Sequence, residues 1–469
     1  MKQYYAKNIF LSEGWATDTT ISIADGIITA ITSGKSSDAV ILDGAVIPGM
    51  VNCHSHAFQR AFAGFSEQGS EGQDSFWTWR KIMYKFLARL TDDDAQVIAQ
   101  HLYIEMLKVG YTRVAEFHYL HHDIDGIDYS KTHSKENTDN ELKNGLATMA
   151  HAIFKAAETA GIGLTLLPVL YQYAGFGQQQ PNQGQKRFIN STEQFNQLVS
   201  DCFALSKDYS NTNIGIAPHS LRAVDKESMT KAVNHVRSLD KNAPIHIHIA
   251  EQIQEVTDCI KHYSKRPVEW LLDNMQLDQH WCLIHATHIN EQEQQGIVDS
   301  KAIAGICPTT EANLGDGIFP TAEFLALKGT FAIGSDSHIS VNPMEELRWL
   351  EYAQRLTKQE RAILASTKTA SVGQNLWHKA ATGGAQSTNS NTGALSVGKQ
   401  ADLLVLDDNQ TALYANNTKH LFDSVIFASQ KNTIKDVMVN GRWVVENGEH
   451  AHEKSSAKNF AKLLSRISS

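Results

Sequence analysis

Eight short apolar runs recur between residues 46 and 338, and each turns polar or ionisable at its C-terminal end. In order they read VIPGMVNCHSH, GYTRVAEFHY, GIGLTLLPVLY, NIGIAPHSL, APIHIHIAEQ, HWCLIHATH, KAIAGICPTTEAN and TFAIGSDSH. Segments with helical spacing, or polar loops, separate them. Strands alternating with helices predict βαβ units and a parallel sheet. Eight such units predict an α/β fold of the (β/α)8 TIM-barrel type, in which chemistry sits at the C-terminal ends of the strands.

The two ends of the chain have a different texture. Residues 1 to about 50 read as short strands (KQYYAKNIFL, DTTISIADGIITAIT, DAVILDGAVI), and GALSVGKQADLLVLD and VMVNGRWVV near the C-terminus read the same way. Asp25-Gly26 and Asn440-Gly441 each stand between β-rich runs, which marks hairpin turns. The polar stretch ATGGAQSTNSNTGALSVG reads as a loop at a boundary. The expected organisation is a barrel over residues 51–384 and a small β-rich module made from residues 1–50 plus 385–469. A chain of 469 residues is too long for one ordinary core and suits a large domain with a small one.

A net charge of −9 gives no support to a nucleic-acid partner, which would require a basic face. The five cysteines (Cys53, Cys202, Cys259, Cys282, Cys307) are scattered and show no CxxC spacing. Neither a disulfide framework nor a thiolate zinc site is indicated, and a reducing, cytoplasmic setting is expected. MKQYYAKNIFLSEGW lacks the apolar segment of a signal peptide, and no run of about 18 apolar residues predicts a membrane span.

The strand ends carry the chemistry. Residues i and i+2 of a strand share a face, so His54 and His56 can both point to the barrel axis and hold one ion. Alone, HxH is equally the pattern of two hydrogen-bonded histidines. The fifth run adds His246, His248 and Glu251, the sixth His285 and the eighth Asp336. Imidazole nitrogens with a carboxylate oxygen suit Zn²⁺, with Fe²⁺ as the alternative.

HxH after the first strand, His after the fifth and sixth, and Asp after the eighth resemble the amidohydrolase superfamily over the whole chain. HSHAFQRAFAG, APHSLRAV, HIHIAEQ and GSDSHISVNPMEELRWLEYAQRL more closely resemble its formimidoylglutamate deiminase branch. The resemblance implies that the terminal strands form a β-sandwich. It further implies metal ligands His54, His56, His248 and Asp336, catalytic roles for Glu251, His285 and Asp336, and a homodimer. His248 is chosen from the HIH pair because Glu251 follows it in an HxxE spacing; His246 is expected to pack or to hydrogen-bond one layer deeper. Binuclear members carry a lysine or glutamate at the end of strand four, where this chain reads IGIAPHSLR, so one divalent ion per chain is expected.

The expected reaction is hydrolytic deamination of N-formimidoyl-L-glutamate to N-formyl-L-glutamate and ammonia, a step of histidine degradation. A bound divalent ion lowers the pKa of its water toward about 7. Asp336 would take the proton, His285 would orient the hydroxide, and Glu251 would protonate the leaving nitrogen. The substrate is a small dicarboxylate amidine, for which Arg forks are the favoured partners. The resemblance assigns Gln59, Arg80, Tyr119, His219 and Arg222 to it; Arg80 is expected in the long loop after strand one, where its residues alone favour a surface cation stacked on Trp77 or Trp79 and only the resemblance makes it a substrate partner. His118, His121, His122 and His338 receive no role beyond solvated or supporting histidines. Two alternatives stay open: a mononuclear deaminase of a purine- or pterin-like ring, and a non-catalytic metal-binding protein on a barrel frame.

Overall fold

Each of the eight predicted runs supplies one strand, or for the fourth a broken one, to a closed parallel barrel. We describe it from a computed structural model covering residues 1–67, 76–132, 145–410 and 418–468. Strand β1 (Met50–Ser55) pairs with β2 (Tyr111–His118), which pairs with β3 (Gly163–Leu170). The fourth strand, β4, comes in two pieces, Thr212–Ile214 and Ala217–Pro218, both parallel to β3. The ring continues through β5 (Ile245–Ile249), β6 (Trp281–His285), β7 (Ile303–Ile306) and β8 (Thr330–Ile333). It closes at two seams: Ile333 opposite Asn52 joins β8 to β1, and bridges Ile216–Ile245 and Ser220–His248 join β4 to β5.

Helices cover the outside, their apolar faces in one continuous core with the strands. Asp92–Lys108 begins where a helix should: the Thr91 side chain accepts from the Asp94 N–H, and the Asp94 carboxylate takes the Thr91 N–H. The stretch expected as a polar boundary loop behaves differently in its first half. Helix Val372–Ser387 runs through it. A side chain at Gly383 would place its Cβ 1.8 Å from the Phe331 carbonyl oxygen, and one at Gly384 2.7 Å from the Val51 Cβ. The glycine pair that looks like a breaker is what lets this helix lie against β1 and β8.

The chain ends join in one sheet. Lys2–Leu11, Gly14–Ala24, Ile27–Ser33, Val40–Leu42 and Val46–Pro48 pair with one another and with Leu403–Leu406, Ile434–Val439 and Arg442–Val445. Tyr4, Ile9, Ile21, Leu403, Val405 and Met438 form a core separate from the barrel's. Both predicted hairpins form, with Asp25, Gly26, Asn440 and Gly441 all at positive φ, as type I′ turns require. The two turns pack on each other: a Cβ at Gly26 would meet Asn440 Oδ1 at 2.0 Å. The C-terminal helix Glu453–Ile467 returns to the barrel, where Arg466 pairs with Asp94 and Lys108 with Glu453. Among the described residues no helix is long and apolar enough to cross a membrane.

Candidate metal centre and active site

The C-terminal ends of β1, β5 and β8 bring four predicted ligand groups together. His54, His56, His248 and Asp336 are buried, and their ligand atoms lie within 4.8 Å of one another. His54 Nε2 stands 3.0 Å from His248 Nε2, and Asp336 Oδ1 lies 3.4 Å from His54 Nε2 and 3.3 Å from His56 Nε2.

The hydrogen bonds behind the rings decide which nitrogens are available. His56 Nδ1 donates to the Phe117 carbonyl at 2.9 Å, and His248 Nδ1 to the His219 carbonyl at 3.2 Å. Each Nε2 is thereby left with a lone pair. Burial, reinforced for His54 by its neighbour His56, holds these imidazoles neutral: His54 is pushed down to about 3 and His248 well below its usual value. With the hydrogen of His54 on Nδ1, which has no hydrogen-bond partner among the described residues, its Nε2 lone pair joins those of His56 and His248. Tetrahedral ligands at about 2.05 Å from zinc would stand roughly 3.3 Å apart, so the donor set fits a divalent ion. For Asp336, burial opposes ionisation but is outweighed by His54, His285 and His56 close by, which keep it a carboxylate.

The strand ends are strained where they aim these groups. Ala250, His285, Ala286, Asp336 and His338 all have positive φ, at a cost of order 1–3 kcal/mol each that only a surrounding fold can hold.

His285 stands opposite the ligands. Its Nδ1 donates to Glu311 Oε1 at 3.3 Å, which leaves Nε2 facing Asp336 Oδ2 at 3.8 Å and Glu251 Oε1 at 3.9 Å. Burial disfavours charge on this ring, but Glu251, Glu311 and Asp336 prevail and raise it to about 10. Glu311, in the quoted CPTTEAN run, was not singled out from sequence. Its clue is indirect: it lies in the first turn of helix Pro308–Leu314, four residues after Cys307, whose N–H it also accepts.

A cavity opens over this centre. Every predicted catalytic and substrate residue, together with His56 and His248, lines it, while His54 lies behind the wall. Arg80 is on helix Phe76–Leu87 rather than in a loop. It donates to the Tyr171 hydroxyl at 2.7 Å, and its guanidinium carbon lies 5.4 Å from the centre of the Tyr84 ring. Gln59 donates to the Tyr119 hydroxyl at 3.0 Å. His219, kept neutral by burial and by Arg222 and Arg80, bonds Ser220 Oγ at 3.0 Å. Arg222 approaches Glu251 at 3.7 Å and Glu255 at 4.0 Å. Tyr84, Tyr171 and Phe188 also line the cavity and were not anticipated; Tyr171 ends the third apolar run, directly after β3, whereas Tyr84 and Phe188 come from segments between strands, where sequence gives no register toward the axis.

The histidines without an assigned role are not solvated. His118, His121, His122 and His338 are all buried. His121 and His122 bond the carbonyls of Val169 and Ile189, and His338 lies between two serines. His246 does sit one layer deeper, bonded to the Ser387 carbonyl at the end of the Gly383-Gly384 helix at 2.7 Å. The five cysteines are all free and buried.

Comparison with known proteins agrees with this geometry. The amidohydrolase family profile matches residues 45–444, and that of the formimidoylglutamate deiminase HutF N-terminal domain matches residues 1–40. This chain belongs to the amidohydrolase family. It is 46% identical to formimidoylglutamate deiminase of Pseudomonas aeruginosa over 471 residues, covering 100% of both chains. The crystal structure of an amidohydrolase from Brucella melitensis superposes with a TM-score of 0.92 at 41% identity, again over 100% of both chains. An adenosine deaminase from Xanthomonas campestris with bound zinc shares the fold alone, with a TM-score of 0.79 at 18% identity over 99% of this chain and 98% of that one.

Proposed function

We propose that this amidohydrolase hydrolyses N-formimidoyl-L-glutamate to N-formyl-L-glutamate and ammonia, as a step in histidine degradation. The observation that carries the reading is the placing of Arg80 and Arg222 on one small cavity with Glu251, His285 and the His/His/His/Asp cluster. The full-length likeness to a formimidoylglutamate deiminase supports the substrate.

His54, His56, His248 and Asp336 would hold one divalent ion, Zn²⁺ in the first instance. The ion would supply an acidified water and polarise the substrate. The chain's own groups divide the remaining work. Asp336 turns Oδ1 to His54 and His56 and keeps Oδ2 toward His285, available for the proton of the attacking water. His285, oriented by Glu311, donates from the opposite side and holds negative charge between itself and Asp336. Glu251, 3.9 Å from His285, carries a proton to the departing nitrogen. An amidine nitrogen leaves as ammonia only when protonated, and water's oxygen becomes the formyl oxygen.

The two arginines bind the two carboxylates. Arg80 donates to the Tyr171 hydroxyl and lies beside the Tyr84 ring. Arg222 is shared with two glutamates, so a substrate carboxylate there takes the place of part of an existing ion pair. Gln59, Tyr119 and His219 complete the wall. A ring deaminase would have no use for two cations on this wall. Side-by-side ammonia assays with formimidoylglutamate and with adenosine test the reading: turnover of the first alone supports it, and turnover of the second alone overturns it.

The reading places the enzyme in the cytoplasm, in keeping with five unpaired cysteines. The homodimer would cover the exposed apolar groove lined by Ile318, Trp349 and Leu356; sedimentation equilibrium tests this.

A further inference from the structure

Behind the metal ligands, away from the cavity lining, runs a chain of buried polar groups with no role in the chemistry above. Glu116, on β2, accepts the Ser55 hydroxyl on Oε2 at 2.6 Å and the Ala57 N–H on Oε1 at 2.7 Å. One carboxylate therefore grips the residues on both sides of His56. The Tyr103 hydroxyl is its third donor, at 3.1 Å.

The single hydroxyl hydrogen of Ser55 fixes the direction of everything upstream. Because Ser55 donates to Glu116, it must accept from His338 Nε2 at 3.1 Å. His338 Nδ1 then takes the Ser335 hydroxyl hydrogen at 2.9 Å, and Ser335 Oγ accepts from Asn52 Nδ2 at 2.6 Å. Asn52 Oδ1 closes the set by accepting the backbone N–H groups of Ser335 at 3.1 Å and His54 at 3.3 Å. Every hydrogen in the chain points toward Glu116. The members flank three of the four ligands: Asn52 holds His54, Ser55 and Glu116 bracket His56, and Ser335 and His338 bracket Asp336, where positive φ at Asp336 and His338 needs holding.

We propose that Glu116 and His338 are positioning residues of the metal centre: the chain Asn52–Ser335–His338–Ser55–Glu116 holds β1 and β8 in the register and twist that converge their ligands. The inference rests on His54, His56, His248 and Asp336 being those ligands. Partners behind metal ligands are commonly worth 10–100-fold in metal affinity.

The test is Zn²⁺ affinity, measured by competition with a chromophoric chelator, together with thermal unfolding of the metal-free proteins. Glu116→Gln keeps an oxygen for the Ala57 N–H but turns an amide N–H₂ toward the Ser55 and Tyr103 hydroxyls, against the direction of the chain, and His338→Phe removes both ring hydrogen bonds. Each should weaken Zn²⁺ binding 10–100-fold. Ser55→Ala deletes one hydroxyl and keeps the test open should a larger change fail to fold; it should weaken binding to the same degree. Because the groups act in series, Ser55→Ala combined with His338→Phe should bind no worse than the weaker single variant. Zn²⁺ affinity within twofold of wild type in Ser55→Ala and Glu116→Gln, with only the metal-free melting temperature lowered, would overturn the proposal. Affinity unchanged in His248→Ala would instead show that the ligand assignment is at fault.

Discussion

His54 and His248, 194 positions apart in sequence, face each other at 3.0 Å between their Nε2 atoms. His248 Nδ1 is committed to a carbonyl, so its Nε2 faces His54 with a lone pair, and burial keeps both rings neutral. That pair, with His56 and Asp336, is the geometry of a cation site, and the first expectation follows from it.

Purified protein should hold close to one divalent ion per chain by elemental analysis. Replacing His248 with Ala should empty the site. Two ions per chain, with loss on changing a residue at the end of β4, would contradict the mononuclear reading.

Glu251→Gln keeps the size and much of the hydrogen bonding of Glu251 but cannot pass a proton. Metal content should stay at the wild-type level while kcat falls about 10²–10⁴-fold. Near-normal kcat with metal retained would remove Glu251 from proton transfer.

The two arginines should fail differently. Breaking a buried charge pair commonly costs about 2–5 kcal/mol, roughly 30- to several-thousand-fold in kcat/KM. Arg80 is held by tyrosines, so Arg80→Met should act mainly on KM. Arg222 also serves Glu251 and Glu255, so Arg222→Met should lower kcat as well. Both losses should shrink on a mono-amidated analogue lacking the contacted carboxylate, and lysine should rescue poorly because a point charge does not reproduce the fork. Equal losses on all substrates would make the arginines structural.

Gly383→Ala separates propensity from packing. Alanine in place of glycine favours an isolated helix by about 1 kcal/mol. Here the new Cβ would lie 1.8 Å from the Phe331 carbonyl oxygen, and overpacking of that kind costs about 1–3 kcal/mol or more. Calorimetry should show a lower melting temperature; a higher one would mean the helix has room to move off the barrel.

The barrel was legible because each strand is an apolar run that ends in polar residues, and the His54–His56 pair because side chains two apart on a strand share a face; His248 and Asp336 entered through the family resemblance. The Asp25-Gly26 and Asn440-Gly441 hairpins were legible from turn chemistry alone, though not that the two turns pack together. What stayed hidden depends on contacts between distant segments. Gly383 and Gly384 read as a loop because their neighbours, β1 and β8, lie more than fifty positions away along the chain. Arg80 carries no local sign of the Tyr171 hydroxyl it meets, nor Arg222 of Glu251 and Glu255, nor His285 of Glu311. His338 read as unremarkable because its place between Ser55 and Ser335 exists only once β8 closes on β1.

The central claim is that one water is added and one ammonia expelled from a linear amidine carrying two carboxylates. Proton NMR of N-formimidoyl-L-glutamate incubated with the purified, metal-loaded enzyme, alongside an ammonia assay, tests it most directly. The account predicts N-formyl-L-glutamate and ammonia in equal amounts, with neither formed by the Glu251→Gln variant at a comparable rate. Formamide with free glutamate, or an unchanged substrate spectrum from metal-loaded wild-type enzyme, would contradict it.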